Sequence, residues 1–98
     1  MENEPLILIE EFCDYYQVDF DFIRSLSELG LLEITLIEER EYLHQEQIKE
    51  IEKLIRLHYD LNINLEGIDT IFHLLQRVER MNIELNVLKN KLRFYEGE

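Results

Sequence analysis

Histidines and carboxylates are the residues that could give this chain catalytic or metal-binding chemistry. The histidines are His44, His58 and His73. They fall in three different segments without the spacing of metal ligands, so a structural role is expected for each. Carboxylates occur as neighbours, as in Glu10-Glu11 and Glu38-Glu39, but neighbouring side chains do not converge on one substrate. The chain also lacks a glycine-rich phosphate loop. These patterns predict no enzyme, no bound metal and no cofactor.

The charge of the chain favours some classes of partner over others. The net charge is −12, and residues 1–50 hold 14 acidic and 3 basic side chains, against 8 and 7 in residues 51–98. An acidic first half repels phosphate, because nucleic-acid affinity comes largely from Lys and Arg displacing counterions. It attracts a basic protein surface instead. Acidic surfaces also serve solubility alone, so charge by itself leaves both interpretations open.

Aromatic residues are concentrated in the same acidic half, at Tyr15, Tyr16, Phe20, Phe22 and Tyr42. Aromatic side chains surrounded by acidic ones make good anchors for a protein interface. Each of them taken singly is more simply explained as an ordinary core residue. The single cysteine, Cys13, excludes an intramolecular disulfide and is expected to be a small buried residue.

The stretch of residues 22–32 is predicted to be the second helix of a helix-turn-helix. Its apolar residues share one helical face: Phe22, Ile23, Leu26 and Leu29. Asp21 is placed to cap the first turn, and Gly30 to end the helix in a left-handed conformation. In a helix-turn-helix this element would enter a DNA groove, yet it carries one cation, Arg24.

Shorter elements are predicted around this helix. Residues 10–16 read as the first helix, and residues 6–9 as either a small strand or the entry to that helix. Residues 34–37 and 41–43 are β-prone and predict a two-stranded wing, although its turn lacks the usual Asn-Gly or Gly-Gly. The wing tip is acidic where a DNA-binding wing carries Arg or Lys.

The C-terminal half is predicted to be helical. Residues 45–59 form a third helix, and Asn64 caps a last helix that starts near Leu65. Its apolar residues keep an unbroken 3,4 spacing: Ile71, Leu74, Val78, Met81, Leu85, Leu88, Leu92 and Tyr95. This repeat predicts pairing with the same helix of a second subunit, the alternative being a fold-back onto the chain's own module. Glu84 and Lys89 weakly favour a parallel pair.

The sequence therefore predicts a mainly α fold with two parts, a winged helix-turn-helix module at 1–62 and a helical dimerisation extension at 63–98. No apolar run approaches the ~20 residues needed to span a bilayer. The N-terminus lacks the basic start of a signal peptide, so a cytoplasmic location is expected.

The order of these parts resembles the winged helix of MerR-type regulators, and more closely the chaperone modulator CbpM family. The resemblance extends over residues 6–95 and is most specific in residues 55–68, which read I-R-L-H-Y-D-L-N-I-N-L-E-G-I. It implies a cytoplasmic bacterial dimer that binds the J-domain of a DnaJ-like co-chaperone of the CbpA type. Such binding would keep the J-domain from stimulating its Hsp70 and would restrain the co-chaperone's DNA binding.

Two departures from MerR-type regulators weaken a DNA-binding role. Those regulators place an Arg and then two aromatic residues in the recognition helix, whereas Ser25 and Leu26 follow Arg24 here. Glu38 and Glu39 occupy the wing tip. The resemblance also implies that the second helix of such J-domains is basic, which gives the acidic half a physical reason to bind it.

The leading hypothesis is thus a non-enzymatic modulator that binds a J-domain. The residues predicted to contact the partner are Asp14, Tyr16, Arg24, Glu38, Glu39, Glu41 and Tyr42. The carboxylates would supply long-range attraction, and Tyr16 or Tyr42 would act as an anchor. The alternative is a MerR-like regulator that binds DNA as a dimer, and a small enzyme is a third, weaker reading.

Overall fold

The protein is mainly α-helical, with a small sheet and one long C-terminal helix. A computed structural model describes residues 5–97. Its elements in chain order are strand β1 (Leu6–Leu8), helices α1 (Ile9–Tyr16) and α2 (Phe20–Glu28), strands β2 (Thr35–Ile37) and β3 (Arg40–His44), and helices α3 (Ile48–Ile55) and α4 (Leu65–Tyr95). A 3₁₀ turn, Gln45–Gln47, precedes α3, and a π-helical turn, Arg56–Asp60, follows it. Among residues 5–97, no helix combines the length and the apolar character needed to cross a membrane.

Helix α2 begins two residues earlier than predicted. The residue before its first turn is Asp19, whose side chain makes no capping hydrogen bond, and the Asp19 backbone N–H donates to the Tyr59 hydroxyl at 3.0 Å. The predicted cap at Asp21 is therefore wrong, since Asp21 lies inside the first turn, where its charge favours the helix dipole. The predicted end is confirmed: Gly30 has φ +81°, and the N–H of Leu31 donates to the Leu26 carbonyl at 2.9 Å.

The predicted wing is the hairpin of β2 and β3, and the sheet extends beyond it. Strand β3 pairs antiparallel with β2 on one side and with β1 on the other, so the order is β1-β3-β2. The segment of residues 6–9, which the sequence left open, thus contributes a strand to the sheet. Glu38 and Glu39 connect β2 to β3 with φ values of +50° and +68°. Positive φ at both central residues matches the right-handed twist of a two-residue hairpin.

One core joins the helices of the module to the sheet. Its most deeply buried residues are Ile9, Ile23, Leu26, Leu43, Ile51 and Ile68. Ile68 belongs to α4, so the first turns of the long helix pack with the module. The predicted boundary between the module and the extension lies between residues 62 and 63. The first turns of α4, which follow this boundary, share the core of the module. The predicted ranges also include residues 1–4 and 98, which lie outside the described residues.

The π-helical turn and the connection after it hold α4 against the module. The His58 ring stacks on Phe22 with centroids 4.4 Å apart, and its Nδ1 lies 3.0 Å from the Ile63 carbonyl oxygen. Asn64 caps α4 as predicted, because its side-chain oxygen accepts the Gly67 N–H at 2.8 Å. These contacts fix the direction in which α4 leaves the module.

Candidate protein-binding site

A groove of about 1020 Å³ lies between α1, the start of α2 and the wing. The charged residues that line it are Glu10, Glu11, Asp14, Asp19, Glu39, Arg40 and Glu41. Six of these seven side chains are carboxylates, so the surface attracts cations. We call this feature the acidic groove.

Local structure explains why carboxylates gather there. Helix α1 buries Ile9 and Phe12 in the core, which turns Glu10 and Asp14, spaced by four residues, towards the groove. The tight turn of the wing brings Glu39 to the opposite wall. The groove also has apolar lining, since Phe20 is 36% exposed and Leu36 is 66% exposed. It can therefore take a ligand that is both cationic and apolar.

The outward face of α2 offers little to a phosphate backbone. Its exposed charged residues are Asp21, Arg24 and Glu28. The Nη2 of Arg24 lies 3.4 Å from both carboxylate oxygens of Glu41, and its guanidinium carbon is 4.7 Å from the Phe20 ring centroid. The single cation of the helix is thus directed towards the wing.

Tyr16 lies on a different surface from the acidic groove. Its hydroxyl donates to the Glu52 carboxylate, and its ring centroid is 4.4 Å from that of Phe12. The hydrogen bond to Glu52, with burial and the Glu52 charge adding to it, raises the pKa of Tyr16 to about 12. Tyr16 therefore connects α1 to α3 and borders a separate apolar pocket of about 450 Å³.

Tyr42 and Glu38 also lie outside the acidic groove. Side chains alternate along β3, so Tyr42 lies on the face opposite to Glu41 and the fully buried Leu43. Glu38 is exposed at the tip of the wing. The seven residues predicted to contact a partner thus divide into a groove set (Asp14, Glu39 and Glu41, with Arg24 bound to Glu41) and residues elsewhere (Tyr16, Glu38 and Tyr42).

The sequence reasoning named Phe20 among the aromatic residues of the acidic half but missed other residues of the groove, among them Glu10, Glu11, Asp19 and Leu36. One signal was available. Glu10 and Asp14 stand four residues apart, which places two carboxylates on one helical face. For Leu36 no such signal existed, because its position depends on how the wing lies against α1.

The apolar repeat of α4 forms an exposed stripe along the helix. From Leu74 onward its members are about half exposed or more: Leu74, Val78, Met81, Leu85, Leu88, Leu92 and Tyr95. Ile71, nearest the module, is half-buried. Within residues 5–97 no other element covers this stripe beyond the first turns of α4.

The histidines make local contacts. The Nε2 of His44 is 2.9 Å from the Thr35 hydroxyl, and the Nδ1 of His73 is 2.8 Å from the Asp69 carbonyl oxygen. In the part of the chain that the structure describes, no group of three or more His, Cys, Asp or Glu residues could hold a metal ion.

Comparison with known proteins identifies the family. The sequence model of the family described as MerR HTH family regulatory protein matches residues 7–90, from β1 into the last third of α4. No curated protein and no solved structure matches the chain. The matched region contains the helix-turn-helix, the wing and most of the long helix, which is the predicted architecture. The chain therefore belongs to the MerR HTH family of regulatory proteins.

Proposed function

We propose that this protein regulates by binding another protein, the J-domain of a DnaJ/CbpA-like co-chaperone, and that it is not an enzyme. The resemblance of residues 55–68 to the chaperone modulator CbpM family supports this partner. Binding of the J-domain would block its stimulation of Hsp70 and restrain the DNA binding of the co-chaperone.

The pairing of Arg24 with Glu41 is the observation that carries the proposal. A MerR-like DNA reader needs free cations on the recognition helix and on the wing to displace counterions from phosphates. Here the one cation of α2 already contacts a carboxylate, and the wing tip presents Glu38 and Glu39. Arg40 is the one cation of the wing itself, so carboxylates outnumber cations on the surface that would face DNA, which disfavours binding to phosphates.

The acidic groove suits a basic amphipathic helix, and the resemblance implies that the second helix of the J-domain is basic. Lys and Arg of such a helix would face Glu10, Asp14 and Glu39, and its apolar side chains would pack on Phe20 and Leu36. The peripheral charges would raise the association rate, and the apolar contacts would lengthen the lifetime of the complex.

A homodimer joined through α4 would present two acidic grooves. The exposed apolar stripe of α4 supports this assembly, because a 3,4 repeat of this length is typical of helices that pair lengthwise.

Charge reversal in the groove tests the proposal. Asp14→Lys should slow association with a DnaJ-like J-domain by roughly three- to tenfold at low salt, and the effect should shrink at physiological salt. Glu79→Lys on the exposed surface of α4 makes the same charge change away from the groove. Equal association rates for the two variants would contradict the proposal.

A DNA-binding regulator is the second candidate function. Family membership and the helix-turn-helix with its wing favour it. Under this alternative, Arg24 would have to leave Glu41 to reach a phosphate.

A further inference from the structure

The C-terminal part of α4 has a second apolar face besides the heptad stripe. Ile83, Val87 and Phe94 are spaced by four and seven residues, and their exposed fractions are 57%, 49% and 79%. With Ile71 at heptad position a, these residues occupy positions f, c and c, on the side of the helix away from the a and d positions. Pairing of two α4 helices through the heptad stripe therefore leaves this face uncovered.

The same part of α4 is basic. Between Glu84 and Glu96 the only charged residues are Lys89, Lys91 and Arg93. Val87, Lys91 and Phe94 line one shallow pocket of about 540 Å³ on this surface. Residues 83–95 thus form a basic amphipathic helical segment, which is the ligand type that the acidic groove suits.

This segment cannot reach the acidic groove of its own chain. Helix α4 is continuous over 31 residues, which corresponds to a length of about 46 Å. Its buried residue, Ile68, lies in the first turn, and the apolar residues from Leu74 to Tyr95 are exposed. An occupant of the groove with this sequence must therefore come from a second copy.

We infer that residues 83–95 of one copy dock in the acidic groove of another copy. Lys91 and Arg93, which flank Val87 and Phe94 around the helix, lie against the groove carboxylates, while Val87 and Phe94 cover Phe20 and Leu36. The segment is basic and the groove is acidic, and every copy of the chain carries both. Charge complementarity therefore favours this segment as the occupant. Within a dimer paired through α4, the contact requires antiparallel helices, the orientation opposite to the one that Glu84 and Lys89 favour.

The acidic groove of each copy is then filled by residues 83–95 of another copy until a cationic ligand that binds more tightly displaces them. This competition is the part of the inference that rests on the proposed function, whereas the contact between copies does not. The J-domain would then open the groove by mass action.

Zero-length carbodiimide cross-linking tests the contact, since it joins lysine amines to carboxylates that touch. The reaction uses an equal mixture of unlabelled and ¹⁵N-labelled full-length chain, and mass spectrometry identifies peptides of mixed isotope content. We expect Lys91, the lysine next to the docked face, to be joined to Glu10, Asp14 or Glu39 between copies. The Lys53–Glu50 ion pair at 3.8 Å supplies the link expected within one chain. Recovery of that link without any mixed link to the groove would overturn the inference.

A pair of variants separates docking from general association of the copies. Phe94→Ser should reduce the mixed links at least about fivefold, because it removes an exposed aromatic anchor. Gln76→Ser, at position f outside the segment, should leave them unchanged. An equal yield of mixed links from both variants would overturn the inference. The mixture contains only this chain, so failure here is distinct from failure of J-domain binding.

Discussion

Arg24 of α2 donates to both carboxylate oxygens of Glu41 in β3, at 3.4 Å from each, while its guanidinium covers the ring of Phe20. The pair connects the second helix of the helix-turn-helix to the wing. Both side chains are partly exposed, at 46% and 30%, so the pair adds little to stability. Its consequence is electrostatic, because the only cation of the helix lies beside a carboxylate of the wing.

Removal of Arg24 should change the rate of J-domain association, and the direction of this change tests the proposed function. Arg24→Ala should change the free energy of unfolding by less than about 1 kcal/mol, as is usual for exposed ion pairs. It should speed J-domain association at low salt, because Glu41 then adds its full charge to the groove. Stopped-flow or biosensor kinetics, with Arg80→Ala on α4 as the control, measure the rate. Slower association than the control contradicts this account.

The turn of the wing should accept residues that prefer positive φ. Glu38→Asn with Glu39→Gly should raise the free energy of unfolding by about 1–2 kcal/mol, because left-handed backbone costs glutamate roughly that much. Urea unfolding measures the change. Glu38→Gln with Glu39→Gln removes the same charges without relieving the backbone, so a similar gain in that control would attribute the effect to charge.

The hydrogen bond from Tyr16 to Glu52 should contribute to stability. Tyr16→Phe should lower the free energy of unfolding by about 1 kcal/mol, since it leaves a half-buried carboxylate without its donor. Tyr15→Phe is the matched control, because Tyr15 is 80% exposed. The same midpoint of unfolding in both variants would show that the bond contributes nothing.

The same bond should make stability depend on alkaline pH. The pKa of Tyr16 is raised from 10.0 to about 12, so the folded state holds the phenol proton more tightly than the unfolded chain. The contribution is fully present below pH 10 and is lost as the pH rises towards about 12. Ultraviolet titration of tyrosinate should show a late step that Tyr16→Phe removes. A late step that persists in this variant contradicts the assignment.

The heptad stripe of α4 should control the oligomeric state. Leu85→Asp places a charge at a central a position and should convert the proposed dimer to a monomer at micromolar concentration, because an unpaired charge in a helix interface is costly. Gln76→Glu introduces a carboxylate at position f, outside residues 83–95, and should leave the dimer intact. Analytical ultracentrifugation reports the mass. A wild-type chain that sediments as a monomer would refute the dimer directly.

Local signals allowed much of the fold to be predicted. The unbroken repeat from Ile71 to Tyr95 predicts one long helix, and Asn64 and Gly30 mark helix ends through their own backbone and hydrogen-bonding preferences. The wing was also predictable from its β-prone residues. Such features depend on residues within a few positions of each other.

Features that depend on distant residues could not be predicted in the same way. The start of α2 depends on Asp19, whose backbone N–H donates to the hydroxyl of Tyr59, forty positions away. Tyr16 was predicted as an interface anchor. Its hydroxyl instead bonds to Glu52, which is distant in sequence, so the sequence gives no sign of this contact. The acidic groove likewise exists only because β3 pairs with β1 and β2, which brings the wing beside α1.

The central claim is that this protein binds a basic protein surface in preference to DNA. Its most direct test compares the two ligands under one condition. Fluorescence anisotropy at low salt, where nucleic-acid binding is strongest, follows the titration of this protein into a labelled DNA duplex and into a labelled DnaJ-like J-domain. We predict binding of the J-domain that weakens with added salt, and no binding of the duplex. Tight, salt-dependent binding of the duplex without binding of the J-domain would contradict the account.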